Sequence, residues 1–454
     1  NGRGRVEMPG RVPFPPIGEL PYLLTLASYG FYWFKLTTDT PVPVWHQGDV
    51  ALRDLPTLVL FDGWNSVFRE RVMPWRMAMA DTLREQVETG VLARHLEAQR
   101  WYAGKGTAIT RASIARHVVW ERGGSEWMLS QLDVRAGDQE ANYFMPLAIA
   151  WEDGDEERTT RLAPAPISKV RQQAAVGLMA DAFYDEHFCR AVVLAIARGE
   201  RIAGEHGEIR FTSTGALDDV SDADIEALEV SRPGVASSNT VVTLGDQLFL
   251  KGYRHLHEGQ NPEFEVGRYL AQTARFASCV PVGGAMEDHG NEGRIVTLAL
   301  LQAFVPNQGD AWEFTLAYLD RLLTEQAAMA EDGVTAPYDH GVFLRQMRTL
   351  GQGTAEMHLA FGRSQGDPAF DPVPVTETDY AQWRDLVASQ ARASFDMLRQ
   401  RAAGLGPDMQ ADAERLLARQ DALLARIAAT NVQAGAPGMK SRTHGDYHLG
   451  QVLV

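Results

Sequence analysis

Cysteine is nearly absent: Cys189 and Cys279 are the only two in 454 residues. That is too few for a disulfide framework and suits a reducing cytoplasm. Basic charge is short as well, with 43 Lys and Arg against 59 Asp and Glu and a formal charge of −16. Such a balance argues against a nucleic-acid or anionic-membrane surface, where basic stripes are expected. No apolar run reaches the roughly 20 residues that span a bilayer, and no signal peptide opens the chain. A Walker A loop is lacking too. Gly104-Lys105-Gly106 has neither the earlier glycine nor the Ser or Thr after the lysine, so it reads as a helix-to-strand turn. The chain starts at Asn1, not Met, and stops at Val454 inside an expected strand. It reads as a fragment cut at both ends.

What is present describes a globular protein. Apolar residues make up 45% and charged residues 22%, enough to bury real cores. The length implies two to four domains. Residues 1–40 open with a Gly- and Pro-rich loop. Aromatic strand formers at 22–26 and 31–36 then flank Ala27-Ser28-Tyr29-Gly30 and predict a hairpin. Residues 41–70 read as a linker with one short strand, 57–61. From Val72 to Gln99 the period is helical, with Leu83, Val87, Val91, Leu92 and Leu96 on one face. Arg84, Glu85, Glu88 and Arg94 read as the solvated face. Runs at 113–120, 126–133 and 141–151 predict an antiparallel meander, and Gly177–Arg198 an amphipathic helix. From 310 to 430 the pattern is almost entirely helical. His358, within one of these helices, reads as a packed or hydrogen-bonded residue.

Two stretches carry chemistry. In the first, strand Glu229-Val230 runs through Arg232-Pro233-Gly234-Val235-Ala236-Ser237-Ser238-Asn239-Thr240 into strands 241–244 and 247–251, ending on Lys251. A loop of small residues lets backbone N–H groups approach phosphate oxygens, and Ser237, Ser238, Asn239 and Thr240 add side-chain donors. Lys251 supplies a point charge for the α- and β-phosphates. Asn261-Pro262 then predicts a capped helix start, and either Glu263 or Glu265 on its first turns can pair with Lys251. Residues 294–302 read as a buried strand leading to Ala303-Phe304-Val305-Pro306-Asn307. The second stretch is His444-Gly445-Asp446-Tyr447-His448-Leu449-Gly450-Gln451. Phosphoryl transfer needs a carboxylate to orient and deprotonate the attacking hydroxyl, and an amide oxygen a turn later can hold a metal on the phosphates.

These motifs, with Gln99-Arg100-Trp101-Tyr102-Ala103-Gly104-Lys105-Gly106 and Leu301-Gln302-Ala303-Phe304-Val305-Pro306-Asn307, resemble the maltokinases, relatives of the aminoglycoside-phosphotransferase group. Residues 11–22 and 30–34 resemble the end of trehalose synthase, an α-amylase-like enzyme that closes with a small β-sandwich. The resemblance implies an α+β, protein-kinase-like two-lobed fold with an N-terminal β-rich cap. A remnant hairpin of an all-β sandwich would precede it, and the helical C-terminal lobe would be incomplete. It divides the chain at 1–40 (synthase β-domain), 41–85 (linker and helix), 86–225 (cap), 226–302 (nucleotide lobe) and 303–454 (helical lobe). The implied reaction is ATP-dependent phosphorylation of maltose to maltose 1-phosphate, feeding α-glucan synthesis, with a trehalose synthase barrel upstream in cis. Asp446 would be the base, Gln451 a Mg2+ ligand, and His444 a brace of the catalytic loop. Lys251, paired with Glu263 or Glu265, and Ser237–Thr240 would hold ATP. The family continues past Val454 to an Asp-Phe-Glu segment, so residues 1–454 alone are expected to lack useful turnover. The alternative is a trehalose synthase whose kinase-like part only binds or scaffolds. A different sugar or an aminoglycoside as acceptor, and a homo-oligomer, stay open.

Overall fold

The computed structural model describes residues 4–7, 13–14, 34–37, 55–137, 139–152, 156–216, 220–233, 238–331, 340–430 and 438–454. They fall into two compact units, 1–268 with 280–306 and 269–279 with 307–454. In the first, strands β1 (Gly4–Glu7), β2 (Pro13–Phe14) and β3 (Phe34–Thr37) form an antiparallel sheet in the order β2-β1-β3. The first strand and turn of the expected hairpin lie outside the described residues. Its second strand overlaps β3, which pairs with β1.

A larger sheet follows. Strand β4 (Thr57–Leu60) precedes a helical stretch built from α1 (Met77–Glu85), a π turn (Gln86–Val91) and α2 (Leu92–Ala98). The expected meander is present as β5 (Ile109–Arg122), β6 (Ser125–Ala136) and β7 (Gln139–Trp151). Gly123 and Gly124, at φ 56° and 79°, supply the positive angles a two-residue hairpin needs. Helix α3 (Glu156–Leu162) leads to β8 (Pro166–Gln172) and β9 (Ala175–Asp181), giving the order β4-β8-β9-β7-β6-β5. Leu83, Val87, Val91, Leu92 and Leu96 bury against Met128, Leu132, Tyr143 and Met145 of this sheet, as their spacing predicts. Glu88 does not stay on a solvated face. It is buried in the π turn, taking Arg84 Nε at 2.9 Å, Arg111 Nη2 at 2.6 Å and the Ile114 N–H at 2.9 Å. Burial pushes its carboxyl up, but the Arg84, Ile114 and Arg111 bonds outweigh that and hold it below the usual range.

The helix expected from Gly177 begins nine residues later, as α4 (Glu186–Arg198). Residues 177–181 belong to β9 because both neighbours, β7 and β8, offer it ladders. The Asp185 side chain caps α4 by accepting from His187 N at 3.1 Å, and Gly199, at φ 62°, ends it. Its residues Phe188, Val192, Val193 and Ile196 are fully buried in a core shared with Trp120, Trp127 and Phe144.

The second sheet joins β10 (Arg201–Gly204), β11 (Gly207–Ser213) and, beyond α5 (Asp222–Ala227), β12 (Val230–Ser231), β13 (Thr240–Leu244) and β14 (Leu248–Gly252). After β14 the chain crosses to the first sheet, where β15 (His255–Leu256) pairs with β7. Helix α6 (Pro262–Arg268) comes next, and β16 (Val282–Gly290) and β17 (Ile295–Ala303) complete the order β10-β11-β16-β17-β14-β13-β12. Its last five strands run first, second, third, fifth, fourth from the edge, with a helix between third and fourth. This is the α+β nucleotide lobe expected of a protein-kinase-like fold, lengthened by two strands.

The second unit is mainly helical: α7 (Ala311–Glu331), α8 (Gly341–Gly362), α9 (Glu377–Arg401), α10 (Pro407–Leu417) and α11 (Gln420–Ala428). Two short strands, β18 (Val373–Pro374) and β19 (Met439–Lys440), pair antiparallel. Aromatic rings make its core, with Tyr269 stacked on Phe370 at 3.8 Å and Tyr318 on Phe343 at 4.1 Å. His358 is exposed and not packed. No described helix is long and apolar enough to cross a membrane.

Two consequences are measurable. Arg254 is fully buried and ion-paired with Asp181, so Arg254→Ala should cost roughly 3–5 kcal/mol in urea unfolding, because it strands a buried carboxylate. Burial holds His95 and His117 neutral, each down to about 4. Unfolding raises both toward the ordinary value of about 6.5, so the unfolded chain binds more protons between those limits. Stability present above pH ~6.5 is therefore lost as pH falls toward 4. The His117 ring stacks on Phe68 at 3.6 Å, so His117→Phe keeps the stack and should flatten that part of the pH–stability curve.

Candidate functional site

Strand alternation sets the first group of candidate residues. Along β14 the fully buried Leu250 points into the core, which turns Lys251 and, two residues on, Tyr253 to the other face. Lys251 Nζ donates to Glu263 Oε2 at 2.7 Å, and the Tyr253 hydroxyl donates to the same oxygen at 2.7 Å. Glu263 stands where it does because Asn261 caps α6. The Asn261 Oδ1 accepts from the N–H of Glu263 at 2.8 Å and of Phe264 at 3.3 Å. Phe264 and Val266 bury the opposite face of the helix. Of the two glutamates left open by the sequence, Glu263 is the one that meets Lys251. Glu265 is half-buried one turn position further on.

The loop before β13 is tied down at both described ends. Ser237 lies outside the described residues; Ser238 is exposed, and Asn239 and Thr240 are half-buried. At the front, Arg232 Nε donates to the Phe183 carbonyl at 2.9 Å, and its guanidinium lies 5.1 Å from the Tyr184 ring centre. At the back, Arg254 Nε donates to Thr240 Oγ1 at 2.7 Å while its Nη2 pairs with Asp181. The Trp101 and Phe183 rings lie 4.9 and 4.8 Å from that guanidinium, within cation–π range. Phe183 also presses on Gly252, where a Cβ would come within 2.1 Å of the ring. One turn, Asp181–Tyr184, thus holds the loop and the strand that carries Lys251. Sequence reasoning missed Asp181, Arg254 and Tyr253. Only Tyr253 had a local signal, its two-residue spacing from Lys251.

A second, separate group of candidate residues, in the other compact unit, is the terminal motif, anchored at the start of α7. Ala311 N donates to the Val452 carbonyl at 2.8 Å, and Val454 N to Gly309 O at 3.0 Å. Residues 449–451 form a 3-10 turn, and the expected terminal strand is reduced to one bridge, Asp310 with Leu453. His448 caps the turn by accepting from Gly450 N at 3.1 Å on Nδ1. Gly445, at φ 88°, makes the bend before Asp446 that a side chain would strain. The Asp446 carboxylate is 83% exposed, 3.9 Å from His448 Nε2. The Gln451 residue is exposed. His444 packs on Tyr447 with ring centres 5.5 Å apart, and the Tyr447 hydroxyl lies 3.0 Å from Thr354 Oγ1.

For magnesium the donor set fits in part. Gln451 offers an exposed amide oxygen, but among the described residues no group of three His, Cys, Asp or Glu converges. A hard cation wants six oxygens at near-octahedral angles. Phosphate oxygens and water would have to supply most of them.

Two family models match, both N-terminal to the candidate site residues 232–265 and 444–454. The maltokinase N-terminal cap domain family matches residues 95–185, and the C-terminal domain family of maltogenic amylase matches residues 1–33. A trehalose synthase of Pimelobacter sp. (strain R48) is 69% identical over 36 residues, 8% of this chain and 6% of that enzyme. The trehalose synthase/amylase TreS of Mycolicibacterium smegmatis is 63% identical over 38 residues, again 8% of this chain and 6% of the relative. The chain therefore spans a small part of the synthases it matches. Among solved structures, a glucosamine kinase in complex with glucosamine, ADP and inorganic phosphate aligns over 81% of this chain and 72% of its own. The identity is 18% and the TM-score 0.44. Residues 1–33 are thus similar to the C-terminal domain of maltogenic amylase and to the matching part of trehalose synthases, and residues 95–185 to the N-terminal cap domain of maltokinases.

Proposed function

We propose that this protein is an ATP-dependent sugar kinase that phosphorylates maltose on its anomeric hydroxyl, in one polypeptide with a trehalose synthase. The observation that carries the reading is the Lys251–Glu263 pair, 2.7 Å apart on the third strand and following helix of the nucleotide lobe. It stands beside a cap segment matched to maltokinases. Lys251 would neutralise the α- and β-phosphates, with Glu263 fixing its direction. Backbone N–H groups and side chains of Ser237, Ser238, Asn239 and Thr240 would cover the phosphates.

Asp446 would accept the proton of the sugar hydroxyl as its oxygen bonds to the γ-phosphorus. The bond from that phosphorus to the bridging oxygen breaks, and ADP leaves with the electron pair. Its exposure keeps the carboxylate accessible to an incoming sugar. Gln451 would be the protein's oxygen ligand for Mg2+, which when bound neutralises phosphate charge. The division at 86–225 for the cap, 226–302 for the nucleotide lobe and 303–454 for the helical lobe belongs to the same proposal. So does a cytoplasmic setting.

Phosphorus NMR of the full-length protein, since residues 1–454 alone are expected to lack useful turnover, with Mg-ATP and, separately, maltose, glucose, trehalose and an aminoglycoside tests it. An anomeric phosphate signal should appear with maltose alone. Asp446→Asn should lower the rate by about 10²–10⁴-fold. No phosphorylated acceptor and no ADP from any of them would leave a binding or scaffolding module beside the synthase. Lys251→Met should weaken ATP binding in calorimetry while leaving maltose binding as it was; equal ATP affinity would remove the lysine from the site.

A further inference from the structure

The Lys251–Glu263 pair is not buried. The two side chains are 23% and 38% exposed, and an ion pair in contact with water holds its partners only loosely. Yet a carboxylate on a helix end, free to turn about its side-chain torsions, would aim the ammonium poorly. Something else must restrict Glu263. The residue in place to do so is Tyr253, 8% exposed, whose ring is packed among Phe264, Val282, Ala285 and Leu300. Its backbone is fixed as well, since Tyr253 N donates to the Leu298 carbonyl at 2.9 Å and extends the ladder one residue past β14.

We infer that Tyr253 is a positioning residue for phosphate binding: its anchored hydroxyl fixes the Glu263 carboxylate, and through it the Lys251 ammonium. The inference rests on the nucleotide reading above and deepens it. Three observations support it. Both donors meet one carboxylate oxygen, Oε2, at 2.7 Å, so they form one network in which moving either moves the other. The ammonium also lies 5.4 Å from the Tyr253 ring centre, within reach of a cation–π attraction that keeps it over the phenol. Finally, the phenol is a dependable donor. Burial, then the neighbouring Glu263 charge, push its ionisation well above the ordinary range, which favours the protonated, hydrogen-bond-donating form. The groups facing it are Glu263, Lys251 and Asn261.

The roles separate by ligand, because Lys251 meets phosphates and not the nucleoside. Binding of ATP, ADP and adenosine is measured by calorimetry for the wild type, Tyr253→Phe, Glu263→Gln and the double variant. Tyr253→Phe keeps the ring and should leave the thermal midpoint near that of the wild type. It should weaken ATP and ADP roughly tenfold, the size of a hydrogen bond to a charged group, with adenosine unchanged. The double variant should bind ATP no worse than Glu263→Gln alone, because the hydroxyl acts through that carboxylate. Unchanged ATP affinity in Tyr253→Phe overturns the inference and spares the nucleotide reading. So does an equal loss for adenosine, or an additive loss in the double variant. A wild type that binds none of the three overturns both.

Discussion

A charge with no access to water constrains this protein more than any other group. Arg254 is wholly buried, and a guanidinium cannot shed its charge as a buried lysine can. It must be met on every side, and it is. Asp181 takes one nitrogen, Thr240 a second, the Phe144 carbonyl faces a third at 3.4 Å, and two aromatic faces close the rest. These partners come from β7, β9, β13 and the turn after Gln99. Satisfying one residue therefore ties three strands, drawn from both sheets, to within a hydrogen-bond length and draws the turn after Gln99 against them. The position of the loop expected over the phosphates, and of the strand bearing Lys251, follows from that requirement.

The two groups of candidate residues, one in each compact unit, are built in opposite ways. Around Lys251, three polar groups have partners rooted in a core. Glu263 has Tyr253, Thr240 has Arg254, and Arg232 has the Phe183 carbonyl. In the terminal motif the backbone is pinned to the start of α7, but the Asp446 and Gln451 side chains stand in water. A group that meets a fixed, polyanionic cofactor gains from being set in advance, since less freedom is lost on binding. Under the proposed kinase reading, a base that meets an incoming hydroxyl needs access first.

Much of this was legible in the sequence, and the limits have physical causes. The meander was visible because each strand alternates between two environments and glycines mark the first turn. The capped start of α6 was visible because Asn-Pro is a local signal. Gly177–Asp181 was misread because a short apolar run carries no period that separates helix from strand. The two ladders that decided it come from residues 147–151 and 166–172. Glu88 was misread for a related reason. The π turn changes the register on which an α-helical wheel relies. The choice between Glu263 and Glu265 depended on where Phe264 buries. The Asp181–Arg254 pair joins residues 73 apart, and nothing local announces a contact of that separation.

The order of strands in the second sheet also sets a timetable. Strand β11 pairs with β16, and β14 with β17, so neither neighbour exists until a much later stretch of chain has been made. A polypeptide emerging from the ribosome would display β11 and β14 as open edges through that interval, and unpaired edges invite pairing with other chains. The first sheet can largely close earlier, from 57–60 and 109–181, and its α4 helix already offers the buried face on which β11 lies. The cap would then serve as the template on which the nucleotide lobe is assembled during synthesis.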